Sequence, residues 1–230
     1  MAGISAELSR MLRTAAWTRG LSPEQLLGVE DELREKRFAA RTAVCREGAP
    51  AEQWIGVVEG LVKVESVDAE GRLTTVMVVA TGGWLDGSSL IRGERLRHDV
   101  VTLSPSRICF VPRATFVRLL TSNLPFNHFV IEQLSARLRQ FVVLTETHRR
   151  RDTVARLAHC MAELFDPQLN PVLDRDLRLS QQEIGHLCGF SRQVAGRALR
   201  RLEEAGLVHV HHGGVNVLDV SGLKQFVQMH

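Results

Sequence analysis

The stretch that most constrains this chain is residues 180–206, where two short helices are written out with their ends specified. Ser180-Gln181-Gln182-Glu183 is a capping box, in which a Ser hydroxyl and a Glu carboxylate reciprocally satisfy amides left unpaired at a helix start. Ile184 and Leu187 supply the buried side of that helix, and Cys188-Gly189-Phe190 forces a turn. Ser191 caps a second helix from Arg192 to about residue 205, which Gly206 terminates. Two short helices joined by a glycine-containing turn are the layout of a helix-turn-helix.

The second helix is asymmetric in a way that core packing does not require. At about 100° per residue, Arg192, Gln193, Gly196, Arg197, Arg200 and Arg201 share one half-circle, while Val194, Ala195, Ala198, Leu199 and Leu202 share the other. No acid appears before Glu203. Arginine offers a bidentate fork to guanine and glutamine one to adenine, and Gly196 between them lets the helix sit close to a groove. An ordinary solvated basic face is the alternative; the capped helix and tight turn before it favour nucleic-acid recognition. Beyond it, residues 207–210 and 215–218 flank His211-His212-Gly213-Gly214 and read as a β-hairpin, a wing beside the DNA backbone. His209 and His211 share a strand face, but no nearby Cys or carboxylate completes a site, so no metal is expected.

Upstream the pattern is different. Ser22-Pro23-Glu24-Gln25 starts a short helix expected to run to about residue 37. From residue 42 to about 116, β-branched runs alternate with Gly48, Gly60, Gly71 and Gly82, at intervals of 12, 11 and 11 residues. A strand plus a turn fills each interval, which predicts an antiparallel β-barrel or roll. Helical periodicity returns over residues 123–147, with Ile131, Leu134, Leu138, Phe141 and Thr145 spaced by threes and fours. Such a stripe serves either a coiled-coil dimer or packing on the chain's own β-roll; its length and the flanking Arg137 and Arg139 favour pairing. Arg149-Arg150-Arg151-Asp152 reads as a hinge, residues 154–164 as a further amphipathic helix, and the stretch to Leu179 as a polar connector.

Composition excludes several classes. With 230 residues, 44% of them hydrophobic, the chain can bury more than one core. No apolar run approaches the roughly 20 residues of a membrane span, and Met1-Ala2-Gly3-Ile4-Ser5 lacks a secretory layout, so a cytoplasmic protein without membrane contact is expected. Cys45, Cys109, Cys160 and Cys188 stand singly, without the spacing of zinc or iron–sulfur ligands, and read as small buried residues. No Ser/His/Asp set, phosphate loop or paired carboxylates stands in a plausible context, so no enzyme is expected. A net charge of +3 permits nucleic-acid binding without arguing for it.

Gln182-Glu183-Ile184-Gly185 followed by Gly189-Phe190-Ser191-Arg192-Gln193-Val194-Ala195-Gly196-Arg197, with the spaced glycines and the long helix, resembles the family of the cyclic-AMP receptor protein and the fumarate–nitrate reduction regulator. The resemblance implies an α+β chain: a cyclic-nucleotide-binding-like β-roll (1–122), a dimerisation helix (123–148) seamed by Ile131, Leu134, Leu138 and Phe141, and a winged helix-turn-helix (149–230). It implies a homodimeric transcription regulator working on double-stranded DNA with RNA polymerase. Arg192, Gln193 and Arg197 would touch bases; Ser180, Gln181 and Gln182, with Arg200 and Arg201, would lie at the backbone. A small-molecule effector is possible in such a roll, at Asp86, Gly87, Ser88, Ser89, Arg97 (or Arg95), Phe141 and Val142. In the family a Glu matching Gly87 holds the ribose, and a Thr-Ser pair matching Phe141 and Val142 reads adenine. The polar groups that recognise cyclic AMP are thus replaced, each at a cost of about 1 kcal/mol or more. The effector and any cofactor stay unassigned.

Overall fold

A computed structural model describes residues 4–67, 70–71, 73–85, 87–148 and 152–229. The chain divides into two compact units, one of residues 1–63 with 79–136, the other of residues 64–78 with 137–230.

The first unit opens with α1 (Ala6–Thr14), which the sequence reading had not anticipated, capped by Ser5 and burying Leu8, Met11 and Leu12. A 3-10 helix, Ala16–Gly20, carries Trp17 into the core with none of its surface exposed. Helix α2 (Pro23–Glu32) has the expected capping geometry, here a full box between Ser22 and Gln25. It stops five residues short of expectation. Leu33 turns extended, and Arg34–Phe38 becomes β1, held along its length by β7 (Ser106–Pro112), with Arg34 opposite Phe110. Charge kept this strand illegible: its residues Arg-Glu-Lys-Arg-Phe have no buried side to alternate with, and only pairing across the sheet defines it.

Strands β2 (Ala43–Cys45), β3 (Gln53–Glu59), β4 (Leu61–Val67), β5 (Leu73–Ala80) and β6 (Asp99–Thr102) complete the roll in two sheets, ordered β1-β7-β3 and β2-β6-β4-β5. Gly60 (φ 103°) closes the turn from β3 to β4 with its Cα against Ser106 and the Pro105 carbonyl, where no side chain fits. A short helix α3 (Ser88–Arg92) sits between β5 and β6. Immediately after β7 the chain turns into α4 (Arg113–Ser122), which places Phe116 in a helix rather than at the end of the β-region. The core is aromatic: Trp54 and Trp84 stack at 4.0 Å, Trp17, Phe116 and Phe126 close on them edge-on or tilted, and Trp54 Nε1–H donates to the Leu85 carbonyl at 2.7 Å. Burying rings of this size dominates the energetics of a small roll.

Helix α5 (Leu124–His148) follows a break at Asn123. Phe126, Phe129 and Val130 on it are buried, and Leu134 packs partly against the same core. Leu124, Ile131 and Leu138, at seven-residue intervals, are exposed with Phe141 and Val142. Leu134 therefore sides with the roll, and the remaining seam residues face outward from this chain.

The second unit is built on α6 (Thr153–Glu163), which Asp152 caps through the amides of Val154 and Ala155. Below it lie α7 (Gln181–Cys188), α8 (Arg192–Glu204) and α9 (Val220–Met229), with a sheet ordered β8-β10-β9 from β8 (Asp176–Leu177), β9 (Val208–His211) and β10 (Gly214–Val217). The stretch read as a polar connector is a core element, because Leu169, Leu177 and Leu179 are buried and Leu177 pairs with Val215. Residues 149–151, read as a hinge, lie outside the described residues, as does Asp86.

Candidate nucleic-acid interface

Both predicted caps form. Ser180 Oγ accepts the Glu183 amide at 3.2 Å and the Ser180 amide donates to Glu183 Oε2 at 2.8 Å, which fixes the start of α7. Gly189, left-handed at φ 69°, ends α7, and the Ser191 hydroxyl accepts the Val194 amide to begin α8. The helices meet tightly: a Cβ on Gly185 would stand 2.8 Å from the Phe190 carbonyl. This close approach explains why a glycine sits mid-helix, where it costs about 1 kcal/mol relative to alanine.

Helix α8 divides as its periodicity predicts. Ala195, Ala198, Leu199 and Leu202 are buried; Arg192, Gln193, Arg197, Arg200 and Arg201 are exposed. One expectation is corrected. Gly196 is buried, not part of the open face, because the Gln181 carboxamide occupies the space beside it, Oε1 standing 2.7 Å from where a Cβ would be. The glycine thus admits a side chain from α7, and Gln181 joins Arg192, Gln193, Gly196, Arg197 and Arg200 around an open concavity of about 610 Å³. No carboxylate lines it. Glu204 is paired with Arg201 at 3.1 Å, and Glu203 turns to the wing, accepting the Val210 amide at 2.8 Å and standing 3.1 Å from His209 Nδ1. Gln182 and Ser180 are exposed at the start of α7.

The wing departs from the sequence reading in its partners. His211 Nε2 lies 2.7 Å from Asp176 Oδ1, thirty-five residues earlier, and His209 meets Glu203, so carboxylates do reach both histidines. The Asp176 hydrogen bond holds the His211 imidazole above its ordinary pKa, with the neighbouring Arg178 charge opposing. No group of three or more metal-ligating side chains occurs among the described residues. Cys109, Cys160 and Cys188 are buried and Cys45 half-buried; burial pushes the Cys109 thiol up to about 12.

The residues read as an effector pocket are brought together only in part. Gly87 caps α3, Ser88 and Ser89 form its first turn, and the Glu94 amide donates back to the Ser89 carbonyl while its carboxylate holds Arg97 at 3.1 Å. Arg95 is engaged with the Gly48 carbonyl. Phe141 and Val142 are exposed on α5, in the other compact unit. A Cβ on Gly87 would overlap the Phe116 ring, and the cavity that Gly87 lines with Trp54, Phe116, Phe129 and Leu134 holds only about 10 Å³. That is barely one water, and a glutamate cannot be fitted there to hold a ribose. The chain's own residues do not fit the cyclic-AMP contacts.

Comparison with known proteins gives the same two parts. Residues 35–123 match the family model of the cyclic nucleotide-binding domain, and residues 155–226 that of the Crp-like helix-turn-helix domain. Over 198 residues the chain is 27% identical to the global nitrogen regulator of Synechococcus elongatus, covering 84% of this chain and 89% of that one. It is 25% identical over 178 residues to the cAMP-activated global transcriptional regulator CRP of Haemophilus influenzae, covering 76% and 80%. Among solved structures, FixK2 from Bradyrhizobium japonicum superposes with a TM-score of 0.71 at 18% identity, over 84% of this chain and 96% of that one, a likeness of fold.

Proposed function

The chain belongs to the Crp/Fnr family of DNA-binding transcription regulators, and on that premise we propose that it works as a homodimer which reads an inverted-repeat DNA site with α8. The observation that carries this reading is the acid-free concavity of Arg192, Gln193, Arg197 and Arg200, set on one exposed face of a helix whose other face is core. Arg192, Gln193 and Arg197 read base edges; Ser180, Gln181, Gln182, Arg200 and Arg201 meet the sugar-phosphate backbone. Dimerisation runs along α5, whose Ile131, Leu138, Phe141 and Val142 expose a contiguous apolar stripe. The working division is a sensor roll (1–122), a dimerisation helix (123–148) and a DNA-binding domain (149–230), acting in the cytoplasm with RNA polymerase as the machinery it regulates.

Cyclic AMP is not the effector in this proposal, since Phe116 fills the place a ribose-binding glutamate needs and the matched adenine-reading pair is Phe141 and Val142. The test of DNA binding is a titration of duplex DNA against salt. Arg200 and Arg201 from two protomers neutralise four phosphates and by themselves give a log–log slope of about −3.6. Binding that ignores salt would overturn the proposal.

A further inference from the structure

The connection between α7 and α8 is gripped from both sides, and the outer grip comes from a residue that no DNA contact explains. Arg156, in the first turn of α6, lays its guanidinium over the Phe190 ring, Cζ at 4.4 Å from the centroid, and reaches the Cys188 carbonyl with Nη2 at 3.5 Å. One turn further along the same face, Cys160 Sγ lies 3.5 Å from the Leu187 carbonyl. These are the last two carbonyls of α7, which have no partner inside the helix and carry its negative end, so a guanidinium there is favoured twice over. From the inner side the Phe190 amide donates to the Gly185 carbonyl at 2.7 Å, and Gly185 leaves no room for the turn to sink further. Residues 189–191 are the whole connection, so their placement sets the angle at which α8 leaves α7.

We propose that Arg156 is a positioning residue for DNA reading: by clamping Phe190 and the end of α7 it fixes the pose in which α8 presents Arg192, Gln193 and Arg197. The inference rests on α8 being the base-reading helix. It also links the start of α6, the first described element after α5, to the recognition helix through one side chain. Arginine suits this task where lysine does not, because the planar guanidinium stacks and donates at once.

The test uses the full-length protein and the DNA motif that wild type selects from a random pool. Arg156→Ala should lower affinity for that motif on the order of tenfold while leaving affinity for random DNA and the salt slope unchanged, because a pose matters only where base edges are matched. Phe190→Leu should cause the same loss, and the double variant no more than either one. Phe190→Tyr, which keeps the ring, should retain affinity; Arg156→Lys, which keeps charge without the plane, should not. Thermal unfolding of each variant separates this from misfolding, and if Arg156→Ala does not fold, the Phe190→Leu and Arg156→Lys measurements decide. Equal losses on motif and random DNA with a slope reduced by about 0.9 would make Arg156 a phosphate contact instead, and additive losses or unchanged affinity would equally overturn the proposal. Failure of wild type to select any motif would sink the reading of α8 itself, a result distinct from all of these.

Discussion

At the scale of single residues, two positions carry most of the chemistry that distinguishes this chain. Gly87 faces the Phe116 ring, which is itself fully buried. Gly87→Ala should cost about 1–3 kcal/mol by overpacking. Adding Phe116→Leu should recover part of that loss, so that urea unfolding of the pair gives less than the sum of the single effects. Calorimetry with cyclic AMP at millimolar concentration should show no saturable heat; micromolar binding would mean the segment has been misjudged. On the wing, His211 is paired with Asp176, and its folded pKa is raised. The proton is therefore held more tightly in the folded state, and the stabilisation is present below the ordinary histidine range and fades as pH rises through the raised value. An NMR titration should place His211 above the ordinary value, and Asp176→Asn should bring it down. An identical midpoint in both proteins would refute the pairing.

At the scale of elements, what could be read from sequence was what local rules decide. The capping box at Ser180, the left-handed Gly189 and the apolar period of α8 all lie within a few residues of what they specify, and each formed as expected. Strand β1 was missed because its identity rests on pairing with β7 some seventy residues away, and α4 because Thr115 and Val117 look like strand residues until the fold buries Phe116 and Leu119. Of the site, Arg192, Gln193, Arg197 and Arg200 share a concavity as the helical wheel requires, whereas the seating of Gln181 on Gly196 and the reach of Asp176 to His211 are tertiary facts with no local signature. The stripe on α5 shows the same division. Spacing identified it, but only packing reveals that Leu134 belongs to the roll and Ile131, Leu138 and Phe141 do not. Leu138→Lys with Phe141→Lys should accordingly yield a folded monomer with little DNA affinity, whereas Leu134→Lys should destabilise the fold. A dimer mass for the Leu138/Phe141 variant in sedimentation equilibrium would rule out this seam.

At the scale of the whole molecule, the parts make one functional statement: a roll packed with aromatic side chains, a long helix with an apolar stripe left over, and a recognition helix whose open face is cationic. A twofold dimer of such chains demands an inverted repeat with half-sites about one helical turn apart. The most direct measurement is selection of bound duplexes from a random pool by wild type and by Arg197→Ala. Wild type should recover a symmetric motif with guanine facing Arg192 and Arg197, and adenine favoured opposite Gln193. Arg197→Ala should lose about 1–3 kcal/mol on that motif and flatten preference at one base pair in each half-site while the others persist. If Arg197→Ala instead weakened cognate and random DNA alike and returned the wild-type motif unchanged, α8 would not read bases through Arg197, and the central claim would be contradicted.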